Sequence, residues 1–407
     1  MTQTLMPVAD ARARILAGLP TMASEQVALT HAHGRVLAED VAARVTQPPL
    51  AVSAMDGYAV RAEDVTNVPV NLTIVGAVPA GGLHEGVVGK GEAVRIFTGA
   101  ALPDGADAIV IQEDTDRNGD TVTVKESSAT GRYVRKAGLD FETGDVLLTA
   151  GTILTSRDIG LAASMNHPWL QVRRRPRVAL LATGDEISLP GEELGPTSIV
   201  SSNTFALEGL IRAAGGEPVT LGIAPDDKAA ISALAQSARS ADMLVTTGGA
   251  SVGEHDLVQD ALQDIGLELD FWQIAMRPGK PLMFGRLGDV PMLGFPGNPV
   301  SSTVCGVLFL KPALAKMLGT NETEPIFETA TLGVELGEND RREDYLRATL
   351  TRDGDTLVAT PFSRQDSSMF SRLAASDGLV VRPPHAPAAK AGDPVAFVRL
   401  GDGNVRI

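Results

Sequence analysis

Hydrophobic and polar positions follow three successive rhythms along the chain. Residues 8–19 carry apolar positions at helical spacing, and 10–17 and 25–29 read as helical stretches. Residues 60–146 change to short apolar runs at 71–75, 93–97, 108–112 and 121–124, separated by Gly, Pro and Asp turns, which predicts a β-rich segment. Residues 147–172 read as a strand followed by a helix over 155–165. From 177 onward strands and helices alternate. Strand 178–181 precedes helix 203–214, which Ser202 is placed to cap and Gly215-Gly216 to stop. Strand 219–223, helix 228–238 behind Asp226 and Asp227, strand 241–245 and an amphipathic run at 257–262 follow. A long apolar helix begins near Val300, and Pro312 should bend or end it. Such alternation predicts a parallel sheet covered on both faces. Beyond 325 the short strands return, at 330–336, 345–350, 356–360, 379–382 and 394–400, which predicts a small all-β domain.

These changes divide the chain. Residues 1–44 and 147–176 form a discontinuous N-terminal domain, interrupted by a β-rich insertion over 45–146 that the Pro48-Pro49 pair introduces. The α/β unit covers 177–318 and the C-terminal β domain 325–407. Arg173-Arg174-Arg175-Pro176 reads as a solvated boundary segment.

A length of 407 residues exceeds what one hydrophobic core usually supports, and 44% hydrophobic residues is ordinary for a globular chain. The net charge of −15 argues against nucleic acid and anionic membranes as partners. Apolar runs are too short or too interrupted to span a bilayer, and the N-terminus lacks a basic-then-apolar signal pattern. A single cysteine, Cys305, lies in an apolar helical pattern, which excludes a disulfide framework and favours the cytoplasm.

An acidic protein that binds an anion needs a locally positive pocket, and one stretch offers it. The glycine-rich loop at 247–256 joins a strand to a helix, so backbone N–H groups and a helix N-terminus surround one small volume. Arg277 and Lys280 stand three apart across a stiff Pro-Gly turn, which is otherwise a solvated hairpin. Pro296, Gly297, Asn298 and Pro299 open the last helix, and a helix start is itself an anion site. In an open α/β sheet such loops meet at one edge. Glu186 and Asp256 each follow a strand and a glycine turn, and two carboxylates there point to a hard divalent cation, Mg2+. Asp256 has the competing reading of a helix N-cap. Asp56, in an Asp-Gly turn, and Thr98, at a strand end, carry no signal on spacing alone. P-loop, HExxH, Cys/His cluster and GxSxG are all missing, so the residues alone imply a phosphate- or oxyanion-binding α/β domain.

Six stretches occur in a fixed order: SAMDGYAVR at 53–61, RIFTGA at 95–100, ATGDE at 182–186, TGGASVGEHD at 247–256, RPGKP at 277–281 and GFPGNPVS at 294–301. Together they resemble the molybdopterin molybdenumtransferase (MoeA) family, which includes the gephyrin E domain. The resemblance implies a multidomain, elongated homodimer. Its central doubly wound α/β domain would be similar to molybdopterin adenylyltransferase, beside a β-rich inserted domain and a C-terminal β-barrel-like domain. It implies transfer of molybdenum from molybdate to adenylylated molybdopterin with Mg2+ and release of AMP, in a cleft between the α/β domain of one subunit and the inserted domain of the other.

On this chain the family's important polar positions fall on Asp56, Thr98, Asp140, Glu186, Ser251 and Asp256, with Glu186 and Asp256 as the metal pair. Its oxyanion positions fall on Arg277, Lys280, Pro296 and Pro299, and in the C-terminal domain on Arg347 and Ser367. Arg277 stands where Lys is common, and the 363–367 turn lacks a glycine often found there. Molybdopterin adenylyltransferase and molybdoenzyme maturation factors are the expected partners. Adenylyl transfer by the α/β domain and a gephyrin-like peptide-binding scaffold are the rival readings.

Overall fold

The computed structural model describes residues 5–248, 257–320 and 324–401. Its centre is a six-stranded sheet built from β1 (Arg177–Thr183), β2 (Glu217–Ala224), β3 (Met243–Thr247), β4 (Leu267–Phe271), β5 (Met283–Leu287) and β6 (Val290–Phe295), in the order β2-β1-β3-β6-β5-β4. β1, β2, β3 and β6 run parallel, whereas β5 runs against them at one side and pairs antiparallel with both β6 and β4. Successive residues of the parallel strands enter two different cores. Val178, Leu180, Met243 and Val245 join one, and Ala179, Leu181 and Leu244 the other. This is why β1 and β3 read as unbroken apolar runs rather than alternating ones. Helix α1 (Asn203–Ala213) covers the first face, and α2 (Lys228–Gln236) and α3 (Leu257–Asp264) the second. The Asp227 carboxylate caps α2 by accepting from the Ala230 amide at 2.9 Å, but the Ser202 side chain makes no cap bond to α1.

Helix α4 (Pro299–Leu318) neither ends nor breaks at Pro312. Gly306–Leu310 adopts a wide π-type turn just ahead of the proline, and regular helix resumes at Lys311–Leu318. A wide turn offsets the ring from the preceding carbonyls, so the helix continues through it. The result is 20 residues of mean hydropathy 1.3, long and apolar enough to cross a bilayer, contrary to the expectation of interrupted runs. Within the structure 72% of its apolar window is buried, against the sheet and against neighbouring regions.

The N-terminal helix Val8–Ala17 packs Val8, Ala11 and Ile15 into this same core. Residues 25–29 are not helical: Ser24–Ala28 is a strand, paired antiparallel with Trp169–Arg173. A partner strand about 140 to 150 positions away (Ala28 lies opposite Trp169 and Ser24 opposite Arg173) outweighs weak local propensity. Leu37, Phe141, Leu148, Leu154, Met165 and Val172 close a separate small core, beside the helix Ser156–Ser164, which begins with a reciprocal Thr155–Asp158 capping box. The three arginines at 173–175 are structural rather than solvated. Arg174 grips Asp242 with both terminal nitrogens, at 2.8 and 2.7 Å, while Arg173 donates to the carbonyls of Met22 and Ala38.

The inserted segment forms a second six-stranded sheet in the order Ala108–Ile111, Gly57–Val60, Glu92–Ile96, Val70–Val78, Thr121–Val124, Thr115–Asn118. Gly57 is needed where its strand passes Val110, because a Cβ there would lie 2.0 Å from the Val110 carbonyl oxygen. The C-terminal strands Glu343–Asp353, Thr356–Pro361, Phe327–Leu332, Pro394–Arg399 and Gly378–Arg382 pair in a ring that closes through Gly378–Arg382 on Glu343–Asp353, giving a five-stranded barrel. Met276–Arg277 of the α/β unit pairs in parallel with Glu343–Asp344 and joins sheet and barrel along one seam.

Candidate functional site

The parallel strands β1, β3 and β6 end at Thr183, Thr247 and Phe295, and their following loops meet at one edge. One glycine allows the close approach: Gly248 has a φ of +96° and leaves room for the Thr183 carbonyl, which a Cβ would meet at 2.4 Å. Gly297 packs beside it, since a Cβ there would meet the Gly248 Cα at an ordinary contact distance of 3.5 Å. Asn203, the first residue of α1, ties the loops together. Its Nδ2 donates to the Thr247 hydroxyl at 2.9 Å and to the Gly297 carbonyl at 2.8 Å. Among the described residues, three polar atoms near these strand ends are buried without a partner: Asn203 Oδ1, Thr183 Oγ1 and Thr246 Oγ1. Buried polar atoms in native proteins are nearly always paired, so unpaired ones grouped at a strand-end crevice mark a place where a ligand completes the bonding.

Glu186 lies on the rim of this edge, exposed, with its carboxylate folded into the space that a side chain on Gly184 would fill. The turn that carries Lys280 comes to the same edge because β5 runs antiparallel: Met283 pairs with Gly294, so the turn before β5 lies beside the Pro296 loop. Gly279 seats that turn on α4, at a φ of +113° with Cys305 Sγ 2.8 Å from its virtual Cβ. Pro296 is buried in the loop and Pro299 opens α4. Asp256 and Ser251 lie outside the described residues.

Arg277 and Arg347 are engaged elsewhere. Arg277 forms an ion pair with Asp344 of the barrel, and its second nitrogen lies 3.5 Å from Asp340. Arg347 is 1% exposed, and its Nη2 is buried without a partner among the described residues. Its guanidinium donates to Gln365 Oε1 and to the Met369 carbonyl, which fixes the loop between them. Ser367, on that loop, meets the edge through its backbone: its carbonyl accepts from the Val300 amide at 3.1 Å.

A second group assembles on the inserted domain. Asp56 Oδ1 accepts from the Thr98 amide at 2.7 Å and from the Thr98 hydroxyl at 2.8 Å, although the two residues are 42 apart in sequence. These two bonds, the amide first, with the Arg95 charge adding, hold the Asp56 carboxyl below its usual range. Arg95 is itself braced over the Tyr58 and Phe97 rings, at 5.1 and 4.8 Å. Asp140 is exposed and lines a neighbouring cleft of about 820 Å3, with Gly99, Leu50, Leu83 and Arg135. Among the described residues no hydrogen bond or ion pair joins Asp56, Thr98 or Asp140 to the strand-end edge within one chain. Sequence reasoning passed over Asn203, Thr183 and Thr246. Asn203 reads as an ordinary first residue of a helix, and its tie to Thr247 and Gly297 depends on a crossover that no local pattern shows.

Fold and site together define a multidomain protein whose doubly wound α/β unit gathers polar groups at the ends of its parallel strands, flanked by a β-rich insertion and a closed barrel. Residues 6–166 match the MoeA N-terminal region (domain I and II), 179–316 the probable molybdopterin binding domain, and 329–400 the MoeA C-terminal region (domain IV). The molybdopterin molybdenumtransferase of Nostoc sp. is 35% identical over 412 residues, spanning 98% of this chain and 94% of that protein. The Haemophilus influenzae enzyme of the same name is 33% identical, over 97% and 98% respectively. A crystal structure of the molybdopterin biosynthesis MoeA protein from Pyrococcus horikoshii superposes with a TM-score of 0.84 at 30% identity, covering 97% of this chain and all of that one. The chain belongs to the molybdopterin molybdenumtransferase family.

Proposed function

We propose that the protein inserts molybdenum into molybdopterin, taking adenylylated molybdopterin and molybdate with Mg2+ and releasing AMP. The observation that carries this reading is the near-full-length likeness to molybdopterin molybdenumtransferases, over all three family regions in order. The strand-end crevice supports it. Molybdate is a tetrahedral dianion, and Lys280 and the loop amides around Gly297 supply positive charge and donors at one edge. Asn203 Oδ1 and the hydroxyls of Thr183 and Thr246 offer buried acceptors and donors to the organic substrate.

The Glu186 carboxylate suits Mg2+, which takes one or two carboxylates, keeps several waters and shares substrate phosphates. Glu186, exposed on the rim, would hold it together with Asp256. Bound there, it would offset charge on the phosphate linkage. Glu186 and Lys280 orient the substrate; no protein nucleophile is required, in keeping with a Cys305 thiol that is fully buried and pushed up in pKa by that burial.

In this reading the protein works as an elongated homodimer in the cytoplasm. Asp56, Thr98 and Asp140 of one protomer face the crevice of the other, which accounts for their separation within a single chain. Molybdopterin adenylyltransferase supplies the substrate, and molybdoenzyme maturation factors receive the product. Incubating purified protein with adenylylated molybdopterin, Mg2+ and sodium molybdate should release AMP only when molybdate is present, and Lys280→Ala should raise the molybdate requirement at least tenfold. Molybdate-independent release, or ATP consumption in its place, would overturn the assignment.

A further inference from the structure

Two donors that the α/β unit would offer a tetrahedral dianion are already occupied, both by acceptors from the barrel. Arg277, with its side chain 48% exposed, is paired to Asp344, whose carboxylate is almost fully buried at 4%. The first free amide of α4, that of Val300, is taken by the Ser367 carbonyl at 3.1 Å. Pro299 before it has no N–H to give. The two contacts lie on either side of the Gly279–Cys305 packing that holds the 277–280 turn against α4. They are made by separate parts of the barrel: the strand that starts at Glu343 and the loop that Arg347 braces.

Asp344 is an unusual partner for a merely structural bridge. One of its oxygens meets Arg277, while Oδ1 is buried with no partner. A carboxylate half satisfied in this way forfeits desolvation energy that it would recover on moving out to water. The bond to Arg277 is therefore poised for exchange with another anion.

We propose that Asp344 is a built-in competitor for the oxyanion: its carboxylate holds Arg277 in the position an incoming tetrahedral dianion would take, and the barrel must yield this contact, together with that of Ser367, for the anion to seat fully. This rests on the reading of the strand-end edge as the molybdate site. Asp344 acts through Arg277 and is a positioning residue that sets oxyanion affinity.

The test is calorimetric titration of sodium molybdate into the full-length protein, with sodium sulfate as a second tetrahedral dianion. Asp344→Asn keeps the shape and removes the competing charge. It should bind molybdate at least threefold more tightly than the unaltered chain, and the gain should vanish in the Arg277→Gln background, where no guanidinium is released. Loss of packing alone would weaken binding, so a tighter Kd is a readout that structural damage does not produce. Unchanged or weaker binding in Asp344→Asn, a gain that persists without Arg277, or no molybdate binding by any of these proteins would overturn the proposal. Thermal melting identifies a variant that fails to fold, and Asp344→Ser then takes its place with the same expected outcome. AMP release by the unaltered protein decides the functional reading separately.

Discussion

Asn203 allows the sharpest test of the strand-end crevice, because its contributions can be set against each other. Its Nδ2 makes two hydrogen bonds, at 2.9 and 2.8 Å, and its Oδ1 is buried without a partner. Two neutral hydrogen bonds contribute about 1–3 kcal/mol net, and an unpaired buried carbonyl costs about 1–3 kcal/mol. In Asn203→Ala both vanish together, so the net change in stability should stay within about 2 kcal/mol in either direction. Asn203→Asp keeps the shape but has no donor. The Thr247 hydroxyl can turn its proton toward the new carboxylate, but the Gly297 carbonyl cannot, which leaves a charge facing an acceptor at a cost of at least about 2 kcal/mol. The isosteric variant should therefore be the less stable of the two. Urea denaturation, read as the midpoint at unchanged slope, measures this order. The crevice reading adds that substrate satisfies Oδ1. Asn203→Ala should then raise the KM for adenylylated molybdopterin about 2- to 12-fold, the equivalent of one hydrogen bond of about 0.5–1.5 kcal/mol, with kcat little changed. An Asn203→Asp protein at least as stable as Asn203→Ala would refute the bonding argument, and an unaltered KM in Asn203→Ala would remove the ligand from Oδ1.

Gly57→Ala would place a Cβ 2.0 Å from the Val110 carbonyl, where only backbone movement relieves the clash; a loss of about 3 kcal/mol or more in chemical denaturation is expected, and a neutral result would contradict the register of that sheet. Asp340 is held down to about 2 from an ordinary 3.8, chiefly by its hydrogen bond from Arg342. A depressed carboxylate stabilises the fold above its unfolded pKa, so this contribution is complete above about pH 4 and is lost as pH falls toward 2. Asp340→Asn should flatten the stability–pH slope in that window, and the slope measured for both proteins shows whether it does. Cys305, fully buried with its pKa raised by desolvation, should resist a thiol reagent in the native protein and react on unfolding; rapid native labelling would contradict the packing of the 277–280 turn on α4.

The order of elements was readable wherever periodicity and burial agree. β1 and β3 are apolar on both faces, the C-terminal strands fall within a few residues of the expected runs, and the capping box at Thr155 marks its helix without help. Reading failed where a distant partner decides. Ser24–Ala28 is a strand because Trp169–Arg173 lies beside it, and Arg174 is an anchor because Asp242 waits 68 residues on. The site divides in the same way. Asp56 and Thr98 carry no local signal and entered only through the family likeness, yet they form one hydrogen-bonded pair. Lys280, Glu186 and the Pro296 loop could be placed at one edge from strand-loop logic alone. Spacing cannot distinguish a cation awaiting a ligand from one already paired, as Arg277 on Asp344 shows.

The helix Pro299–Leu318 ties the fates of three regions together. Val8 and Ile15 from the start of the chain, Val178 and Phe295 from the central sheet, and Tyr345, Leu379 and Val398 from the barrel all share the cluster that surrounds it. Detaching the barrel by cleavage near residue 324 would strip one wall from a greasy rod, and the remaining fragment should self-associate or seek detergent. A molecule assembled from several modules would in this respect melt as a single body, with the last helix of its α/β unit as the common spine.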